Sequence, residues 1–86
     1  MEYIIHGENM TARRPAHEEI ASAMRFPEYY GYNLDALYDM LTQTKGHARL
    51  VNVGKMLSHL EGYGVSILKA FYDAVEANPN FTFSAE

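Results

Sequence analysis

The chain has 86 residues, 48% hydrophobic and 13% aromatic, with seven Lys+Arg against eleven Asp+Glu and no cysteine. That length and apolar content suit one packed domain, and the formal net charge of -4 disfavours nucleic acid and anionic membranes while favouring a cationic partner. Without cysteine there is no disulfide framework or thiolate metal cluster, so a reducing compartment, the cytoplasm, is the expected setting.

At the N-terminus, "MEYIIHGENMTARR" has no basic region followed by a long apolar run, and no uncharged stretch approaches the ~20 residues that cross a bilayer. The expectation is a chain neither exported nor anchored. Tyr3 to Gly7 reads as a first strand, with Ile4 and Ile5 adjacent as in a strand buried on both faces. Arg13 and Arg14 then form a small basic patch expected to be solvated. From Pro15, Ala16, Ile20, Ala23 and Met24 recur at helical spacing, with Glu18 and Glu19 placed to favour the positive end of the helix dipole and Pro27 beyond the end.

The stretch "PEYYGYNLDALYDML" packs four tyrosines and three carboxylates into residues 27–41 without a lysine or arginine. Asn33 is a good N-cap, and Leu34, Leu37, Tyr38 and Leu41 share one stripe, predicting a second helix from about Asn33 to Thr42. Ala48 to Gly54 is strand-like, and Lys55 to Leu60 is a short helical segment. A last helix begins near Gly64 with Ile67, Leu68, Phe71, Ala74 and Val75 inward; "NPN" ends it, and Phe81 to Ser84 alternates as a final strand. No tight hairpin joins any two strands. Helical crossovers therefore predict an α/β domain spanning residues 1–86, with a small three-stranded parallel sheet packed by about four helices.

On the second helix, Asp35 and Asp39 lie four residues apart on the face that also carries Thr42, opposite the leucines. Like charges at this spacing destabilise a helix by roughly 0.2–0.5 kcal/mol, and only Asp35 is close enough to the N-terminus to regain dipole energy. No basic residue occurs between Arg25 and Lys45, so a cation from elsewhere is a natural partner. Tyr29, Tyr30 and Tyr32 flank Gly31 in the preceding loop, where at least one ring is expected near the surface; tyrosine suits an interface because it combines a large apolar area with a polar tip. These residues also admit a plainer reading, in which the acidic face is only solvated and the tyrosines pack on their own core.

The paired aspartates have no nucleophile, base and electrophile set around them, so no catalytic residue is assigned and an enzyme is not expected. His6, His17, His47 and His59 lie on separate elements without an i,i+4 pair, and no metal site or cofactor is expected. Met24, Met40 and Met56 fall among apolar neighbours as core filler.

In "PEYYGYNLDALYDML", in the opening "IIHGE" and in "ILKAFYDA" of the last helix, the chain resembles the barstar family, intracellular inhibitors of secreted bacterial ribonucleases of the barnase type. The resemblance covers nearly the whole chain and has Gly31, Asn33 and both aspartates in register. It implies a three-stranded parallel sheet packed by helices, and a second helix and preceding loop that plug the nuclease active site. It implies contact roles for Tyr29, Gly31, Asn33, Asp35, Asp39 and Thr42, with Asp39 in the phosphate-binding centre of the enzyme. Together with Tyr30, Tyr38 and Asp73, these are the expected partner-binding residues. The implied partner is a basic, extracellular-type ribonuclease bound 1:1, with the inhibitor a monomer when free, and with neither nucleic acid nor membrane involved. The chain departs from the family in three places: Tyr38 and Thr44 each replace a tryptophan, and Asp73 replaces a glutamate. Lys69, four residues before Asp73, is placed to neutralise it within the helix. A barstar-like module for another cationic protein, or for an enzyme that is not a ribonuclease, is the alternative.

Overall fold

The computed structural model describes residues 1–86. The chain runs β1 (Glu2–His6), a single 3-10 turn (Gly7–Asn9), α1 (Arg13–Met24), α2 (Leu34–Leu41), β2 (Gly46–Val51), α3 (Val53–Leu60), α4 (Gly62–Ala77) and β3 (Phe81–Ala85). The strands form one parallel sheet in the order β1-β2-β3, as the absence of hairpins predicts. No helix is long and apolar enough to cross a membrane.

Register places Tyr3, Ala48 and Phe83 in one row and Ile5, Leu50 and Ala85 in the next, all on the face covered by helices. Ile4, Arg49 and Ser84 form a row on the other face, which no helix covers. The expectation that Ile4 and Ile5 are both buried is therefore corrected: Ile5 is fully buried while Ile4 is 42% exposed. Successive side chains of a strand point to opposite faces, and only one face here has a layer over it. The open face is closed by polar ties instead. His47 bonds Thr82 at 2.8 Å and Ser84 at 3.1 Å, and Arg49 pairs with Glu86 at 3.0 Å.

Several element ends differ from the sequence reading. Helix α1 starts at Arg13, before Pro15, so Glu18 and Glu19 lie beyond its first turn; Glu19 accepts from the His6 backbone N–H at 2.9 Å and from Asn9 at 3.1 Å instead. The helix stops at Arg25, whose left-handed backbone (φ 58) is a common helix-ending conformation, with Pro27 just beyond. Strand β2 starts at Gly46 and ends at Val51, and α3 begins at Val53, two residues before the expected Lys55.

The core is continuous from the sheet through α4. Ile67, Phe71 and Ala74 are fully buried, and the Phe71 ring stacks on Phe83 with centroids 4.4 Å apart. Leu68 and Val75 also face inward as expected, half-buried and packed against the core, and Ala70 and Gly64 take part of that face. Met24 and Met56 are core residues as expected; Met40 is only half-buried, and Met10 is an additional core methionine.

Two buried polar residues tie the helices together. His17, on α1, is 1% exposed; its Nδ1 lies 2.7 Å from the Tyr30 hydroxyl and its Nε2 lies 2.7 Å from the Tyr63 hydroxyl of α4. A neutral imidazole has one donor and one acceptor nitrogen, so one tyrosine accepts from the ring and the other donates to it. Burial lowers the pKa of His17 and raises those of Tyr30 and Tyr63, so all three stay neutral near pH 7. Asn78, 6% exposed, sits in the turn from α4 to β3 and donates to the carbonyls of Leu41 at 3.0 Å and Thr44 at 2.7 Å. Its Oδ1 accepts from the Asn80 N–H at 3.0 Å. It thereby anchors the C-terminal end of α2 from a site 37 residues later.

Two outcomes follow from these ties. Replacing Asn78 with Ala strands acceptors at the end of α2, so urea unfolding should show a loss of about 1–3 kcal/mol at unchanged m-value, against a shift under about 0.5 kcal/mol if water reaches the carbonyls. His17 should make stability fall with acid. Its folded pKa is depressed, so below about pH 6.5 the unfolded chain binds a proton that the folded chain refuses, and stability drops by up to about 1.4 kcal/mol per pH unit until the folded pKa is reached. Urea midpoints compared between pH 7.5 and 5.5 should show this slope in the wild type and a flatter one in His17→Gln; equal slopes would refute the assignment.

Candidate functional site

Helix α2 has its fully buried residues, Leu37 and Leu41, turned to the core, with Leu34 and Tyr38 half-buried at the border. Asn33 caps it as the sequence predicts: its Oδ1 accepts from the Ala36 N–H at 2.7 Å. Its Nδ2 donates to the Gly31 carbonyl at 3.2 Å, so both ends of the amide already serve the fold, leaving one amide hydrogen for a partner. Gly31 lies against this cap; a Cβ there would stand 3.3 Å from both Ala36 Cβ and Asn33 Nδ2. A larger residue would press on the start of the helix.

Asp35 and Asp39 are both exposed on successive turns of α2, and neither carboxylate has an ion-pair or hydrogen-bond partner. Thr42 ends the helix and donates its hydroxyl to the Asp39 carbonyl at 2.8 Å, so it caps the backbone beneath Asp39. Thr44 makes the equivalent bond to the Met40 carbonyl at 2.8 Å.

The loop before α2 divides its tyrosines. Tyr29 is 79% exposed, as expected of at least one ring. Tyr30, also among the expected contact residues, is only 3% exposed, and its hydroxyl is held by His17. Its contribution is to fix the loop that carries Tyr29 and Gly31. Tyr32 has a left-handed backbone (φ 53), uncommon for a ring-bearing residue, and lies between Tyr30, with ring centroids 5.1 Å apart, and Arg14, whose guanidinium is 3.9 Å from the Tyr32 ring centre. Arg13 similarly lies 4.5 Å over Tyr63. The two arginines are thus stacked on aromatic faces rather than only solvated.

Folding also changes the electrostatic surroundings of the aspartates. Arg13 lines a depression of about 400 Å³ with Asn33, Leu34, Asp35 and Tyr63. On the other side, a groove of about 390 Å³ between α2 and α4 is lined by Leu34, Asp35, Tyr38, Ser66, Lys69, Ala70 and Asp73. Lys69 pairs with Asp73 at 2.8 Å, as their spacing predicts. Asp35 thus shares one hollow with Arg13 of α1 and the other with Lys69 of α4 although no cation is near it in sequence, and Asp39 borders neither hollow. A larger depression of about 720 Å³, at the strand ends by Asn52, Gly54 and Lys55, contains none of the α2 residues. The fold thus gathers Asp35, Tyr38 and Asp73 around one groove, with Asn33, Asp39 and Thr42 along the same helix and Tyr29 exposed on the loop leading into it.

His17, Tyr63 and Asn78 support this surface and are not singled out for such roles by the sequence. A signal existed for His17, which shares the i, i+3, i+7 stripe with Ile20 and Met24. The partners of Tyr63 and Asn78 are too distant in sequence to leave one.

The family model described as "Barstar (barnase inhibitor)" matches residues 1–85. A stretch of 39 residues is 44% identical to the Bacillus subtilis (strain 168) protein "Putative ribonuclease inhibitor YrdF", covering 45% of this chain and 43% of that protein. The aligned stretch thus spans less than half the length of that relative. With the three-stranded parallel sheet, the four helices and a family match running from residue 1 to residue 85, the chain belongs to the barstar family.

Proposed function

We propose that this chain inhibits a basic, barnase-type ribonuclease by laying α2 and the preceding loop across the enzyme's active site, in a 1:1 complex formed in the cytoplasm. The observation that carries the reading is the pair of exposed, unpartnered carboxylates of Asp35 and Asp39 on a helix otherwise anchored by buried leucines. A ribonuclease holds RNA phosphate with cationic donors. A carboxylate fixed on a packed helix fits such a site through charge-assisted hydrogen bonds, and the body of the domain then blocks substrate. Asp39 is the group assigned to the anion site, as the resemblance to the barstar family implies, and like Asp35 it pairs with no cation of its own fold. Tyr29 supplies exposed aromatic area on the loop before α2, and Tyr38 forms part of the groove wall. The mechanism is occlusion, with no covalent step and no cofactor.

Titrating a barnase-type ribonuclease with this protein should abolish RNA hydrolysis at equimolar ratio. Asp39→Ala should weaken binding by at least about 100-fold, the scale expected when one member of a buried ion pair is removed. Its melting temperature should stay level or rise, since the substitution relieves a repulsion of roughly 0.2–0.5 kcal/mol. Retained binding with a lower melting temperature would reverse the assignment of Asp39 from recognition to stability. The association rate should also fall between 0.01 and 0.15 M salt, as the Debye length contracts from about 30 to about 8 Å; an unchanged rate would count against docking through this face.

A further inference from the structure

Helix α4 brings one cation and one anion to the groove beside α2, and they are joined to each other. Lys69 Nζ donates to Asp73 Oδ2 at 2.8 Å across one helical turn. Their side chains are 73% and 47% exposed, so the core does not fix them there. Their attraction and the helical spacing do. The bond to Asp73 raises the pKa of Lys69, and the Glu76 charge acts in the same direction, so the ammonium stays protonated. Asp35, across the groove, has no such tie.

A cation arriving at this surface therefore meets two unlike carboxylates. Asp35 presents a charge without an ion-paired partner. Asp73 presents one end of a dipole, because a positive charge sits 2.8 Å away and is tethered by its own helix. Repulsion from Lys69 offsets most of the attraction to Asp73 at any distance larger than their separation. An exposed pair of this kind contributes little to stability, yet the cancellation depends on position and not on pair strength. Leu34, Tyr38 and Ala70 supply an apolar part of the same groove.

Building on the inhibitor reading above, we infer that Lys69 is a specificity-determining residue: it withholds Asp73 from the cations of the partner and confines ionic recognition to α2. The nuclease that fits has its basic residues opposite Asp35 and Asp39 and a weakly charged or apolar surface over α4. A nuclease with a further arginine or lysine over α4 meets Lys69 and is disfavoured, which is discrimination by a repulsive element.

The test is a cycle of four proteins, wild type, Lys69→Gln, Asp73→Asn and the double variant, titrated by calorimetry into a barnase-type ribonuclease that carries an arginine or lysine over α4, with Asp39→Ala as reference. Glutamine keeps much of the lysine stem and its helix propensity while removing the charge. Thermal unfolding should show all four folded. Asp73→Asn should change Kd by less than about two-fold in the wild type and weaken binding about five- to ten-fold in the Lys69→Gln background, because only there is the carboxylate available to a cation. An equal effect of Asp73→Asn in both backgrounds, large or small, overturns the role of Lys69 while leaving the inhibitor reading intact if Asp39→Ala still weakens binding. Failure of the wild type to bind overturns both.

Discussion

Helix α2 has only eight residues, and a helix so short does not persist in water on its own propensity. Everything the proposed binding surface requires depends on overcoming that constraint. Asp35 and Asp39 make it harder by roughly 0.2–0.5 kcal/mol of mutual repulsion, while the Asn33 cap returns about 1 kcal/mol. Neither figure decides the outcome. Leu37 and Leu41 are fully buried, and each contributes about 1.5–3 kcal/mol relative to exposure, so tertiary packing against the core outweighs the local terms. Because the apolar stripe secures the helix, its opposite face can carry charges chosen for another purpose.

Packing along a stripe restrains a helix less well in axial position than side chains that bond its ends. Here Asn78 holds the carbonyls at the C-terminal end, and the His17–Tyr30–Tyr63 bridge holds the loop that enters the N-terminal end. Burying an imidazole and two phenols is unfavourable unless their polar atoms find partners, and His17 has both ring nitrogens occupied. Apolar residues of similar size would have filled the volume. They would not have fixed where α1, the loop and α4 meet, because hydrogen bonds demand direction and distance whereas apolar contact does not. Tyr32 shows the local consequence: an uncommon backbone conformation (φ 53) persists with its ring tilted against Tyr30 and covered by the Arg14 guanidinium.

What could be read from the sequence was mostly what neighbouring residues decide among themselves. The Asn33 cap, the leucine stripe of α2 and the Lys69–Asp73 pair depend on spacings of three and four residues, and all are found. The parallel sheet was legible from the absence of hairpins and the intervening helices. Strand ends were not, because β2 extends from Gly46 to Val51 in register with β1 on one side and β3 on the other, across 35 or more residues. "VNVG" looks extended by its β-branched residues, yet Asn52 takes a left-handed turn and Val53 already starts α3. Ile4 and Ile5 look alike in sequence; a single layer of helices makes one core and leaves the other exposed. Tyr30, too, is buried where Tyr29 is exposed, its hydroxyl held by a histidine 13 residues upstream.

The same dependence on distant residues makes the two aspartates unequal. In sequence they are equivalent carboxylates far from any basic residue, and on an isolated helix they would attract a cation alike. In the fold, Asp35 borders two hollows, one also lined by Arg13 and the other by Lys69, while Asp39 borders neither. Of those two cations Lys69 is already tied to Asp73 at 2.8 Å, so Arg13, which has no carboxylate partner, is the one left to reduce the potential Asp35 projects and tilt the negative field of α2 toward the Asp39 end. A surface with such a gradient orients an approaching basic protein as well as attracting it, because one docking angle matches its cations to the stronger pole. Helix α2 thus supplies the charges, and α1, through Arg13 in the hollow beside Asp35, biases which of them dominates.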